Sequence, residues 1–300
     1  MKIPPTLPQL LPLLPLLALA CTGQAGAAIT VRDDDGVAVT VQQPARRIMS
    51  LAPHATELLF AAGGGDRIIG TVSYSDYPPA AKAIPRVGDN REVDLERIIA
   101  MKPDLLVVWL HGSSPRQIDA LRQLGIPMFH SEPHKLEAIP DSLLRLGQLM
   151  GTEAVARPAA ADLRQQLDAL AAKYAGRPPV RMFYQVWDKP LYTLNGNHIV
   201  SDSIRLCGGE NIFAGLKAVA PTVNVEAVLQ EDPEAIFGTA EKNYGGINLW
   251  RPYATMKAVR NGNLFTLNGE LLNRSGPRMI AGTAALCEKL ELARQHRKQP

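Results

Sequence analysis

The chain has 300 residues, 46% of them hydrophobic and 20% charged, with a formal net charge of +3. That composition is globular, and a small charge with scattered Lys and Arg argues against nucleic acid as a partner. Only the tail Arg294-Gln295-His296-Arg297-Lys298 is locally basic, and it reads as a frayed, solvated end.

Lys2, the apolar run Leu7 to Ala20 and the small-residue pairs Ala18/Ala20 and Ala25/Ala27 have the layout of a secretory signal peptide over residues 1–27. The run is shorter than the roughly 20 residues a membrane helix needs, and Pro8, Pro12 and Pro15 interrupt it. Lipidation at Cys21 is the alternative, although Ala18 stands where a lipobox usually has Leu. Two cysteines survive cleavage. An even pair in an oxidising compartment suggests one disulfide, Cys207 to Cys287, closing a loop of 80 residues (287 − 207). Two buried free thiols are the other reading.

Along the mature chain, Ile29 to Val41 alternates around Asp33-Asp34-Asp35-Gly36 and predicts a β-hairpin. Arg47 to Leu51 predicts a strand, then a loop holding Pro53 and His54, then a helix Thr56 to Ala62 stopped at Gly63-Gly64-Gly65. That glycine run lacks the Lys and hydroxyl of a P-loop and follows a helix, so it is a helix stop. Next comes Ser73-Tyr74-Ser75-Asp76-Tyr77-Pro78-Pro79, an aromatic-bearing loop.

Asp94 is a good N-cap, Glu96 sits where the helix dipole favours an acid, and Pro103 ends the helix ahead of the apolar run Leu105 to Trp109. The same series returns at an offset of 130 (225 − 95): Asn224, Glu226, Pro233, then Ala235 to Phe237. Each copy continues through a Gly-containing loop and a helical stretch to a second short apolar run, Ile126 to Phe129 and Leu264 to Leu267. Val180 to Tyr184, followed by a helix from Ser201 that stops at Gly208-Gly209, echoes the strand and helix at residues 47–62. Apolar runs without alternation suit strands buried on both faces.

Between the copies, Glu153 to Ala175 carries Leu163, Leu167, Leu170 and Tyr174 at helical spacing. Such a helix is roughly 35 Å long, enough to bridge two lobes. The predicted fold is α/β: two Rossmann-like lobes, residues 28–151 and 177–300, joined by one long helix within 152–176, with a ligand cleft between them.

Catalytic motifs are scarce. Neither G-x-S-x-G nor H-E-x-x-H occurs, no nucleophile and base converge, and the chain is expected not to be an enzyme and to need no cofactor. His130 and His134 are four apart, but Pro133 breaks the helix that would align them, so no metal site is expected. His54 lies at a strand-to-helix loop, where ligands bind in α/β folds; it reads equally as a helix-start residue. Tyr74, Tyr77, Trp109 and Trp187 follow predicted strands, which suggests a cleft for a flat, largely apolar ligand with a polar rim.

The sequence resembles the periplasmic cobalamin-binding proteins of ABC importers. The resemblance rests on Ser73 to Pro79, Leu95-Glu96-Arg97-Ile98, Lys102-Pro103-Asp104-Leu105, Cys207-Gly208-Gly209-Glu210-Asn211-Ile212-Phe213 and Pro277-Arg278 ahead of Cys287. It implies two lobes on a rigid helix with little hinge motion, in a periplasmic protein expected to be a monomer. It places Tyr74, Trp109, Val186 and Trp187 on a corrinoid, with Glu270 and Arg274 as polar contacts, and it implies that Cys207 and Cys287 are bridged. Glu96 and Glu226 would meet arginines of the membrane permease, one from each lobe, in an importer completed by its ATPase subunits. Three positions depart from the family pattern: Asn90 and Ala220 stand where it can present Trp, and Glu270 stands where Asp is usual. A haem or an iron-siderophore complex would suit the same architecture.

Overall fold

A computed structural model of the chain describes Met1 and residues 27–89, 92–239 and 246–297. The apolar leader, Cys21 and Asn90 lie outside the described residues. β1 (Ile29–Arg32) and β2 (Ala38–Val41) form an antiparallel hairpin. Asp33 closes its turn by accepting from the backbone N–H of Asp35 and Val37 at 3.0 and 2.8 Å.

The first lobe runs β3 (Ile48–Ser50), α1 (Pro53–Ala61), β4 (Ile68–Thr71), α2 (Leu95–Ala100), β5 (Leu105–Val108), α3 (Pro115–Gln123), β6 (Met128–His130) and α4 (Ala138–Met150). Helix α5 (Glu153–Tyr174) follows. The second lobe runs β7 (Val180–Gln185), β8 (Trp187–Asp188), β9 (Leu191–Tyr192), α6 (Ile199–Leu206), β10 (Gly209–Asn211), α7 (Val225–Glu231), β11 (Ala235–Thr239), α8 (Lys257–Arg260), β12 (Leu264–Leu267), α9 (Gly269–Leu272) and α10 (Met279–His296).

Each lobe has a four-stranded sheet, ordered β4-β3-β5-β6 and β10-β7-β11-β12, with every pairing parallel. Both sheets therefore place their strands in the order second, first, third, fourth. Their third strands, β5 and β11, are buried at every residue, because helices cover both faces of a parallel sheet. The repeated helices begin as their caps dictate: Asp94 accepts from Arg97 N–H at 2.9 Å and Asn224 from Ala227 N–H at 2.8 Å.

One apolar core runs through both lobes. It takes Leu58 from α1, Leu146 from α4, Tyr184 from β7, Ile204 from α6 and Leu286 from α10. Helix α5 joins it through Ala156, Ala160, Leu163, Leu167 and Tyr174, the inward stripe of an amphipathic helix. Separate clusters around Leu106 and around Phe183 and Trp250 fill the outer sheet faces. The lobes thus share packed surface rather than hanging on a flexible tether. Among the described residues no helix is long and apolar enough to cross a membrane.

Two local expectations are corrected. Helix α1 starts at Pro53, three residues before Thr56, because Pro fits the first helical position, where its missing N–H would have no intrahelical acceptor. The basic tail is not frayed at Arg294 to Arg297. Arg294 is 6% exposed and donates to the carbonyls of Pro178 and Cys207, both at 2.7 Å, and Arg297 donates to Glu234 at 2.8 Å. These groups satisfy one another, so α10 stays ordered to His296. Cys207, at the end of α6, is bridged to Cys287 on α10.

Candidate functional site

In parallel α/β sheets ligands lie beyond the carboxyl ends of the strands. His54 follows β3, Tyr74 follows β4 and Trp109 follows β5; Val186 and Trp187 follow β7, Ala220 lies between β10 and α7, and Glu270 and Arg274 follow β12. The strand-end edges of the two lobes adjoin. A Cβ at Gly276, in the second lobe, would lie 3.3 Å from the Glu57 carboxylate and 3.6 Å from the His54 carbonyl of the first.

The seam is held by charges. Glu57, on α1, has a side chain only 2% exposed. It accepts two bonds from Arg278, Nε to Oε2 at 2.9 Å and Nη2 to Oε1 at 2.6 Å, and one from Arg274 at 3.4 Å. Arg274 also donates to Asp76 of the first lobe at 2.9 Å and to Glu270 at 3.0 Å. Burial works against the Asp76 carboxylate, but the Arg274 bond and charge overcome it and hold its pKa below the usual value. The Arg278 guanidinium lies 3.9 Å above the Tyr77 ring. A second tie across the seam runs from Asp202 at the start of α6 to Lys135 Nζ at 3.1 Å and Leu136 N–H at 2.9 Å.

His54 is buried, with Nε2 2.8 Å from the Ser131 carbonyl, and burial pushes its pKa down, so it donates as a neutral ring. Trp109 stands edge-on to it at 6.3 Å and is half-buried. Gly112 packs on the Trp109 ring so closely that a Cβ would come within 2.2 Å of it, which fixes that face of the indole. Tyr74 is exposed and takes a φ of 66°, a left-handed conformation costly for an aromatic residue. Trp187 is exposed on the β8–β9 hairpin and donates to the Lys189 carbonyl at 3.1 Å, while Val186 N–H donates to Tyr192 at 2.9 Å. Ala220 is exposed.

The fold therefore brings His54 to Trp109 and Glu270 to Arg274. Tyr74, Trp187 and Ala220 stand on separate loops at the same edges. Glu57 escaped sequence reasoning, although an acid among Thr56, Leu58 and Leu59 is the signal of a paired buried charge. Trp250, the third tryptophan, is core: it is fully buried against Phe183 and donates to Gln185 at 2.5 Å.

Glu96 and Glu226 are exposed in the first turns of α2 and α7. Each helix leads into the next parallel strand, so its N-terminus lies toward the strand carboxyl ends, on the side of the seam.

Two α/β lobes meeting at a charged seam have the architecture of a two-lobed binding protein. Residues 48–271 match the family model described as periplasmic binding protein, and the chain belongs to that family. The vitamin B12-binding protein of Vibrio cholerae serotype O1 is 40% identical over 253 residues, 84% of this chain and 91% of that protein. The vitamin B12-binding protein of Yersinia pestis is 36% identical, over 83% of this chain and 87% of its own. Among solved structures, the periplasmic vitamin B12 binding protein BtuF of Vibrio cholerae superposes with a TM-score of 0.79 at 39% identity, covering 85% of this chain and 99% of that one. The haem-binding protein BhuT, at 20% identity and a TM-score of 0.74 over 84% of this chain and 99% of its own, shares the fold.

Proposed function

We propose that the chain is an exported, periplasmic binding protein that holds a corrinoid, cobalamin or a close relative, at the seam and hands it unchanged to an ABC importer. The observation that carries this reading is the placement of Trp109, Trp187, Tyr74, Glu270 and Arg274 at the carboxyl ends of both sheets, beside an ion cluster that joins the lobes. Flat faces for an apolar macrocycle and a charged rim for its amide side chains are what a corrinoid requires. The likeness to vitamin B12-binding proteins at 36–40% identity supports the same ligand.

Calorimetry tests it. Cobalamin is expected to bind one to one, and Trp109→Ala to weaken binding about tenfold, since losing a stacked indole removes about 1 kcal/mol or more. A wild-type chain that binds haem or a ferric siderophore but no cobalamin would overturn the ligand assignment and leave the carrier role standing.

Glu96 and Glu226 are proposed as docking charges for the two halves of a permease. Exposed acids repeated at one helical position in each lobe can pair with permease arginines through charge-assisted bonds. Glu96→Ala/Glu226→Ala is expected to keep the wild-type melting temperature and cobalamin affinity while uptake through the cognate importer falls sharply. Undiminished uptake by that double variant would return both residues to ordinary helix-start acids.

A further inference from the structure

Beyond the proposed ligand seam, three nitrogen and oxygen donors converge at the ends of β5 and β6. One ring nitrogen each of His111 and His130 and one Glu132 carboxylate oxygen all lie within 4.8 Å of one another, and His111 Nδ1 contacts Glu132 Oε2 directly. They come from two adjacent parallel strands, because β5 and β6 pair Val108 with His130 and so carry the loop bearing His111 alongside Ser131 and Glu132.

His130 is the key to the cluster. Its side chain is 1% exposed, and neither ring nitrogen makes an aligned hydrogen bond. Nδ1 faces Asp35 Oδ2 at 2.8 Å and Nε2 faces Glu132 Oε2 at 3.4 Å. Nε2 has only the longer Glu132 contact, and an ion between it and the other two donors would give this nitrogen a full partner. Asp35 stands where an outer carboxylate normally does, on the nitrogen opposite the metal, fixing the ring and its tautomer. Glu132 is held from behind as well, its N–H donating to Asp34 Oδ2 at 2.6 Å. His111 is exposed, its side chain 65% accessible, and gives an ion a path from solvent and room for a water ligand.

We propose that His111, His130 and Glu132 form a binding site for a divalent transition metal, with Asp35 orienting His130. Two imidazoles and one carboxylate suit zinc, nickel or cobalt, and not magnesium or calcium, which take oxygen donors. Trp109 neighbours Glu132, so the ion would lie next to the indole proposed for the seam ligand.

The test is calorimetry of the untagged exported chain, stripped with chelator, titrated with zinc chloride and separately with magnesium chloride. One zinc per chain is expected, and magnesium is not expected to bind. His111→Ala and Glu132→Gln should each weaken zinc at least about tenfold. His134→Ala, an exposed histidine outside the cluster, should bind zinc as wild type does. His111→Ala removes a solvent-facing ring, so its fold is expected to persist, and circular dichroism checks it. Cobalt(II) should give the visible absorption of a nitrogen-ligated ion in wild type, and that band should be lost in both site variants. No zinc uptake by wild type, or zinc binding of wild-type strength in both site variants, would overturn the proposal.

Discussion

Arg278→Met is expected to lower the unfolding free energy by about 3–5 kcal/mol, the usual loss when one partner of a buried ion pair is removed. The size of the effect comes from what is left behind. Glu57 would keep a charge whose side chain is 2% exposed, with only the 3.4 Å contact from Arg274 in place of two short bonds. The methionine retains the apolar stem, so lost packing contributes little. Glu57→Met/Arg278→Met removes the stranded charge and should recover much of the loss, which makes the pair strongly non-additive in a double-mutant cycle. Urea unfolding of the four chains measures it. Additive single effects, or an Arg278→Met loss below about 1 kcal/mol, would mean that the seam cluster does not tie the lobes.

Removing the Cys207–Cys287 bridge is expected to lower the unfolding free energy by about 4 kcal/mol. The bridge spans 80 residues of sequence, and closing a loop of that length restricts the unfolded chain far more than the native one. The native anchorage of α10 survives without it, since Arg294 still donates to the Cys207 and Gly208 carbonyls at 2.7 and 3.1 Å. The Cys207→Ala/Cys287→Ala chain should therefore fold to the same structure and unfold at lower urea. Its denaturant slope should be steeper, because the freed unfolded chain exposes more surface. A loss below about 1 kcal/mol would show that the loop is already restrained when unfolded. A typical domain has only about 5–15 kcal/mol in hand, so the predicted loss is a large share.

The repeat explains why so much of the fold was legible. Asp94 and Asn224 cap helices that start 130 residues apart, at Leu95 and Val225, and β5 and β11 keep the same offset from Leu105 to Ala235. Caps, prolines and unbroken apolar runs act within a few residues, so each copy declares itself locally. Helix α5 is legible for the same reason: its inward stripe repeats every three or four residues between two glycine-flanked ends.

The sequence by itself determined two copies of one α/β pattern, a long helix between them and aromatic residues after the strands. Only the tertiary structure decided the partners. His130 sits four residues from His134 in sequence, yet the pairing of β5 with β6 sets it beside His111 and Glu132. Glu57 finds Arg274 and Arg278 at separations of 217 and 221 residues. Arg294, in a stretch that reads as solvated tail, closes on carbonyls 87 and 116 residues earlier. The physical reason is range. Helix and strand signals are carried by neighbours along the chain, whereas the mate of a buried charge or imidazole is chosen by strand register and by how two lobes pack, which no local pattern encodes.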